Sequence, residues 1–429
     1  MASASKVSLV KRRFRELFNL EPEVIASAPG RLDFLNTHQD YKGLPVVSVA
    51  IDRRAYVAVA RSGGSSRVVS LNICVESGDC IDSFNFEEVR LRGRGFFGDY
   101  IRSVVMSLRE TGVRMSNFHM LIDSDVPMAS GLASSAALQV AAIASLTRLF
   151  NHSLSLHEIA ELAYRSEHDV VGIPCGRLDQ YGSTMGGVTL VETKPSFNTR
   201  TFRGLGLSFV VLDSGIRHST REVHPVRISE LSKGIREILS RPDLPQELRR
   251  RLSEDVYETD WQRLTLEELR PHVERVSSVS RRRILFTLKM NTSTNLALKL
   301  LENASESVMS EVGDFLVREC RECLEVASKT SNNMLKLLGG VINYQHALLR
   351  DLYDVSLPQL ELIREKALEG GALGVKISGA GLGGSMFALI DTPQVGHEVV
   401  SRVRDLVRGA WIVREGEGVK VEYESRFEA

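Results

Sequence analysis

The stretch that most constrains this chain is Asp125-Val126-Pro127-Met128-Ala129-Ser130-Gly131-Leu132-Ala133-Ser134-Ser135-Ala136-Ala137. Before it, Phe118 to Ile122 carries apolar residues at strand-like spacing. After it, Ala136 to Phe150 reads as a helix rich in Ala, Leu and Val, without Gly or Pro. The small residues between them let backbone amides face outward and approach a ligand closely. Gly131 can take dihedral angles closed to other residues, and Ser134 or Ser135 can cap the helix that follows. Unpaired amides at the positive end of a helix dipole make such a turn an anion site. The pattern G-x-x-x-x-G-K-[ST] is absent, so phosphate would be held here without the lysine of that motif. A tight strand-to-helix corner that holds nothing is the alternative reading, and two distant stretches decide between them.

The first is Ala28-Pro29-Gly30-Arg31-Leu32-Asp33-Phe34-Leu35-Asn36-Thr37-His38-Gln39-Asp40-Tyr41-Lys42-Gly43. It opens on a Pro-Gly turn signal and then concentrates donors and acceptors, a mix suited to a ligand dense in hydroxyls. The second is Glu167-His168 followed by Pro174-Cys175-Gly176-Arg177-Leu178-Asp179-Gln180-Tyr181-Gly182. Glu167 ends a helical pattern and Asp179 sits in a turn-prone segment. Two carboxylates offered from such ends suit a hydrated magnesium ion and a proton acceptor. A third cluster, Ser378-Gly379-Ala380-Gly381-Leu382-Gly383-Gly384-Ser385, formally contains G-x-G-x-x-G. A dinucleotide fingerprint needs a helix after it, whereas Met386 to Ile390 continues as a strand, so an oxidoreductase reading fails on context.

Length and charge narrow the class. A chain of 429 residues exceeds one ordinary core and predicts about two domains, with a soft boundary near residue 200 (1–200 and 201–429). Lys plus Arg equals Asp plus Glu at 54 each, so nothing points to nucleic acid or to an acidic membrane. No apolar run approaches the length of a membrane span and no signal-peptide core is present, which predicts a cytoplasmic protein. Five scattered cysteines include one C-x-x-C, Cys320 and Cys323, inside the helical pattern Phe315 to Ala327. Lacking a second pair for zinc, these read as neighbouring reduced thiols on one helix face.

The patterning alternates strands and helices up to residue 200 and is almost wholly helical from Val226 to Leu352, with interruptions near Pro242, Pro245 and Pro271. Ser155, with Glu158 three residues on, predicts a capping box for a helix running to Asp169. Strands are predicted at 373–378, 385–390 and 411–423, with a helix at 395–407.

Taken together, these stretches resemble the GHMP small-molecule kinases, and within them the galactokinase branch. Gly30-Arg31 and Thr37-His38-Gln39-Asp40-Tyr41 look like the family's first motif, and Pro127 to Ala136 like its Pro-x-x-x-Gly-Leu-Ser-Ser-Ser-Ala loop, with Ala133 in place of the first serine. Pro174 to Gln180 and Ser378 to Ser385 match its remaining motifs, and Ser214-Gly215-Ile216-Arg217-His218 is a weaker match. The resemblance implies an α+β, two-lobed fold with a ribosomal-protein-S5-like N-terminal lobe and a ferredoxin-like, helix-rich C-terminal lobe. The active site would lie in the cleft between lobes. It further implies ATP phosphates on Ser130, Gly131, Leu132, Ala133, Ser134 and Ser135, with Gly379 and Gly381 closing over them. Mg2+ would be held by Ser135 and Glu167, Asp179 and Arg31 would be catalytic, and Thr37, His38, Asp40, Tyr41, Gly176 and His224 would bind the sugar. The implied reaction is transfer of the γ-phosphoryl group of ATP to the anomeric hydroxyl of galactose or a related hexose, by a monomer or homodimer.

Three departures bear on the sugar. Thr37 stands where the galactokinase pattern has a Glu that contacts the sugar around its sixth carbon. His224 stands where a sugar-contacting Tyr is usual, and Arg177 where many relatives are apolar. This pattern predicts room for a uronic acid or an N-acetylhexosamine. A non-catalytic sensor of sugar and ATP is the alternative of another class.

Overall fold

The structure, a computed structural model, describes residues 2–76, 78–93, 95–217 and 220–425. His218, the end of the weaker match above, lies outside them. In chain order the strands are β1 (Val24–Leu35), β2 (Val46–Arg61), β3 (Ser66–Ser70), β4 (Ile81–Phe84), β5 (Phe118–Ser124), β6 (Val188–Val191), β7 (Thr199–Phe202), β8 (Ser208–Asp213), β9 (Gly374–Ser378), β10 (Ser385–Ile390), β11 (Gly409–Arg414) and β12 (Lys420–Glu424). The chain forms two compact units. One comprises Met1–Arg31, Val49–Thr189 and Gly416–Ala429; the other comprises Leu32–Ser48 and Leu190–Glu415. The long run of the second unit begins close to residue 200, while the polar segment after Arg31 belongs to that later unit and the last strand to the first.

In the first unit the sheet runs β12-β1-β2-β5-β3-β4. Val, Ala and Tyr along β2 suit a pleated, buried surface, and β2 is exposed or half-exposed only at Asp52, Arg53 and its final residue. β2 pairs antiparallel with β5, and β3 pairs parallel with β5. Val57, Val59, Met120 and Ile122 from these strands pack with Val140, Ile143 and Leu146 of the helix Ser134–Leu149. That helix buries twelve residues, so its alanines serve both helix propensity and close approach to the sheet. The predicted capping box is present: the Ser155 side chain accepts from the Glu158 amide and Glu158 reaches back to the Ser155 amide. After Arg165 the helix widens into a π-helical turn over Ser166–Val170.

In the second unit β11, β8, β10 and β9 form an antiparallel sheet in that order. Ser385 lies opposite both Asp213 and Ser378, so the third glycine cluster is the loop of a β9–β10 hairpin, as its context predicted. Phe34, Phe209 and Phe387 meet with ring centroids 5.6–5.8 Å apart. Helices account for most of the remainder, including Thr220–Leu239, Ser278–Glu302, Glu306–Val326 and Asn333–Asp351. Pro271 sits inside the short helix Leu266–Val273, which Thr265 and Glu268 cap, and the helical run breaks just after it, before Ser278. The strand expected over 411–423 is two strands, β11 and β12, one in each unit. Among the described residues no helix is long and apolar enough to cross a membrane.

The cysteines require a correction. Cys74 is bonded to Cys80 and Cys320 to Cys323, and only Cys175 is free. The helical pattern around Cys320 hid the second bridge. The backbone leaves the helix at Cys320 (φ −161°, ψ 73°), and the two Cα atoms lie 5.4 Å apart, within bridging range.

Gly30 on β1 fixes how near the small-residue loop can come. A Cβ there would lie 2.8 Å from the Leu132 carbonyl oxygen and 2.9 Å from Val126 Cγ1. Gly30→Ala should therefore destabilise by about 1–3 kcal/mol, the usual scale of overpacking, read as a fall in the urea midpoint.

Candidate functional site

The loop after β5 carries three residues in the left-handed region: Ala129 (φ 52°), Gly131 (φ 73°) and Ala133 (φ 58°). Two of them are alanines, a conformation costing roughly 1–2 kcal/mol each, and such strain concentrates at functional sites. The expected serine cap is corrected here. Ala133 is the N-cap, with no side-chain cap bond, and Ser134 and Ser135 are the first helical residues. The first-turn amides are thus left without a capping side chain, as an anion site requires. Ser130 Oγ donates to the Pro127 carbonyl (2.7 Å), and Leu132 is buried.

Arg31 holds this loop to Asp179. Its amide donates to the Leu132 carbonyl (3.0 Å), and its Nη1 donates to the Gly131 carbonyl (2.6 Å). Its Nε and Nη2 both donate to Asp179 Oδ1, at 3.0 and 2.5 Å. The Asp179 side chain keeps 31% exposure while Arg31 is buried.

The π-helical turn carries Glu167, which is 6% exposed. Its Oε1 accepts from Ser135 Oγ (2.9 Å) and its Oε2 from Gln180 Nε2 (2.8 Å). Burial first, and the neighbouring Asp179 carboxylate second, raise its pKa above the ordinary value. The Cys175 thiol is pushed up to about 12 by burial and by the same two carboxylates, so it stays protonated. Arg177 turns away from this cluster. It is bound by Glu161 (2.7 and 3.2 Å) and lies 3.9 Å over the Tyr164 ring, so it adds no free charge near Asp179. Gly176 is exposed. Just upstream of the loop lies a cavity of about 530 Å³ whose lining includes Lys6, Arg13, Asn72, Asp125, Val126 and Pro127. Lys6 Nζ bridges Asp123 and Asp125 at 2.9 Å each.

The second unit gathers the remaining candidates. Asn36 (φ 62°) and His38 (φ 65°) are left-handed, giving the segment Asn36–Tyr41 a sharply folded course. Thr37 Oγ1 donates to Asp33 Oδ1 (2.9 Å) and accepts from Lys376 Nζ (2.6 Å), all three residues being buried. His38 Nε2 lies 3.0 Å from the Ala380 carbonyl and Nδ1 lies 3.2 Å from the Tyr41 hydroxyl. The carbonyl can only accept, so Nε2 carries a proton. Burial holds His38 well below the ordinary histidine value, with His224 and Lys42 adding to the effect. The His224 ring lies 5.3 Å from His38 and 4.8 Å from Tyr41. Burial and then Lys42 hold its pKa below the ordinary histidine value too. Asp40 is half-exposed. In the hairpin loop, Gly379 and Gly381 have φ of 97° and 79°, and a Cβ on Gly381 would fall 2.5 Å from the Val355 carbonyl oxygen.

Sequence reasoning missed Asp33, Lys376, Lys42 and Gln180 as parts of these clusters. Lys376 carried a usable signal, a cation inside the otherwise uncharged strand Gly-Val-Lys-Ile-Ser, all five residues of which are buried.

Magnesium can be tested against these residues. Among the described residues no group of three or more His, Cys, Asp or Glu converges as a metal cage. Ser135 and Glu167 instead offer two oxygens, beside a second carboxylate that makes ionised Glu167 costly. So small a protein donor set fits magnesium, which keeps waters and takes phosphate oxygens.

Comparison with known proteins follows the same lines. Residues 99–187 match the GHMP kinases N terminal domain, residues 12–61 the galactokinase galactose-binding signature, and residues 322–409 the GHMP kinases C terminal. The chain is 28% identical to a galactokinase of Roseiflexus sp. over 90% of its own length and 88% of that protein. It is 29% identical to one of Chloroflexus aggregans, over 93% and 92%. Among solved structures it resembles the Lactococcus lactis galactokinase complexed with galactose, with a TM-score of 0.72 at 21% identity, covering 96% of this chain and 99% of that one. At that identity the structural likeness carries the fold.

The raised pKa of Glu167 has a thermodynamic sign. A folded-state value above the unfolded one means stability present below the ordinary value of 4.5 and lost as pH rises through the raised value. The Tm of the wild type relative to Glu167→Gln should therefore fall from pH 4 towards neutrality, as followed by circular dichroism. A constant difference would remove the burial penalty on this carboxylate.

Proposed function

The chain belongs to the GHMP kinases, on their galactokinase-like branch, and from that premise we infer how it works as an ATP-dependent sugar kinase. It transfers the γ-phosphoryl group to the anomeric hydroxyl of galactose or a related hexose. Phosphoryl transfer asks mainly for alignment and for neutralisation of charge on the transferred group. The uncapped amides at Ser134 and Ser135 and the strained loop Ser130–Ala133 bind the phosphates. The cavity bordered by Asn72 and Val126 seats the base. Ser135 and Glu167 hold magnesium, which when bound screens the phosphate charge. Gly379 and Gly381 serve the nucleotide from the hairpin loop.

The observation that carries the catalytic assignment is the asymmetry of the Arg31–Asp179 pair. Both guanidinium bonds fall on Oδ1, which leaves Oδ2 to take the hydrogen bond of the sugar's C1 hydroxyl. Aspartate is a weak base towards such a hydroxyl, so its proton passes late, once the oxygen is bonding to phosphorus. Arg31 meanwhile supplies positive charge beside the reacting oxygen. A scaffold that merely sensed sugar and ATP would not need this orientation, which favours the enzyme over the sensor.

Asp40, Tyr41, Gly176 and His224 remain our sugar-binding residues, with Thr37 and His38 shaping the segment that carries them. The geometry favours a neutral hexose over a uronic acid. The Lys376 charge is balanced by the buried Asp33 beside it, and Arg177 is engaged by Glu161, so neither is left to attract a carboxylate.

Two measurements test this reading. Asp179→Ala should lower turnover by at least ~10²-fold, the scale of a positioned acid or base, while ATP affinity changes little; near-normal turnover would remove Asp179 from the mechanism. Across galactose, galacturonate, glucuronate and N-acetylgalactosamine, kcat/KM should be highest for galactose. A preference for either uronate would overturn the charge argument.

A further inference from the structure

Four hydrogen bonds join two segments of the second unit that are distant in sequence. The Asp33 amide donates to Ser378 Oγ (3.0 Å), Lys376 Nζ donates to the Asp33 carbonyl (3.3 Å) and to Thr37 Oγ1 (2.6 Å), and His38 Nε2 donates to the Ala380 carbonyl (3.0 Å). The third Lys376 donor goes to the Ile377 carbonyl (2.9 Å), so the ammonium is saturated. Lys376 is 0% exposed. Burying a cation in a sheet is expensive, and strand packing alone would be met by any apolar side chain. The anchored stretch holds the left-handed residues Asn36 and His38, a conformation uncommon outside glycine that relaxes unless the surroundings impose it.

We propose that Lys376 is a positioning residue for sugar recognition: by bonding Thr37 and the Asp33 carbonyl together it imposes the strained course of Asn36–Tyr41, and so sets where Asp40 and Tyr41 meet the sugar. Thr37 is the point at which that force is applied, its hydroxyl committed to Asp33 and Lys376.

The inference rests on the sugar-kinase reading, and the experiment separates the two. Steady-state constants for galactose and ATP are measured for the wild type, Thr37→Val, Lys376→Met, Lys376→Arg and the Thr37→Val/Lys376→Met double variant. A wild type that phosphorylates no hexose sinks the sugar-kinase reading itself. With an active wild type, Lys376→Met should raise the KM for galactose about tenfold or more, the scale of one charge-assisted hydrogen bond. The KM for ATP should stay within about twofold and kcat within about threefold. Thr37→Val should do the same, the double variant should be no worse than either single one, and Lys376→Arg should recover most of the loss. An unchanged KM for galactose, or a parallel loss of kcat and of both KM values, overturns the proposal by making Lys376 a packing residue. If Lys376→Met fails to fold, Thr37→Val, which conserves shape, decides alone by the same criterion.

Discussion

The first unit depends on one buried guanidinium. Arg31 has charge and donors enough to satisfy a loop carbonyl and a carboxylate at once, and no other side chain offers that fork. The loop needs it because its left-handed alanines are strained, and Asp179 takes from it two hydrogen bonds and an opposite charge. Gly30 shows the same dependence from the other side. Only a residue without a side chain lets β1 run close enough for the Arg31 amide to reach the Leu132 carbonyl.

Much of this was legible because it is local. The capping box at Ser155, the strand, loop and helix around Gly131, and the hairpin that excludes a dinucleotide site each follow from residues a few positions apart. What escaped depended on partners far along the chain. Nothing near Thr37 announces Lys376, and nothing near Asp33 announces Ser378. The C-x-x-C pair was misread for a different reason. A helical pattern predicts neighbouring but unbonded thiols, and the kink at Cys320 is invisible in hydrophobic spacing. Ser134 and Ser135 were credited with a capping role that the left-handed Ala133 precludes, since the helix begins at the serines themselves.

The second unit handles polarity differently from the first. Around Asp179 the charges stay partly open, its side chain keeping 31% exposure. Around Thr37 and His38 nearly every donor is matched internally, and even the Tyr41 hydroxyl is bonded to that of Tyr353. Lys42 is the exception. Among the described residues its buried amine has no hydrogen-bond partner, and it lies 4.7–5.5 Å from the ring centroids of Tyr41, Phe286 and Tyr353. Burial holds its pKa well below the ordinary lysine value, and ring faces attract whatever cationic character it keeps.

The π-helical turn at Ser166–Val170 adds a constraint of another kind. Each residue of an α-helix advances the chain by about 100°, and a widened turn absorbs one residue without breaking the helix. Glu167 lies within that widened turn, so its bearing towards Ser135 is a matter of phase as well as of side-chain chemistry. A deletion of one residue there could leave every neighbour's identity intact and still rotate the carboxylate off its partners. Between Ser155 and Asp179 the chain is thus constrained in length as tightly as in composition.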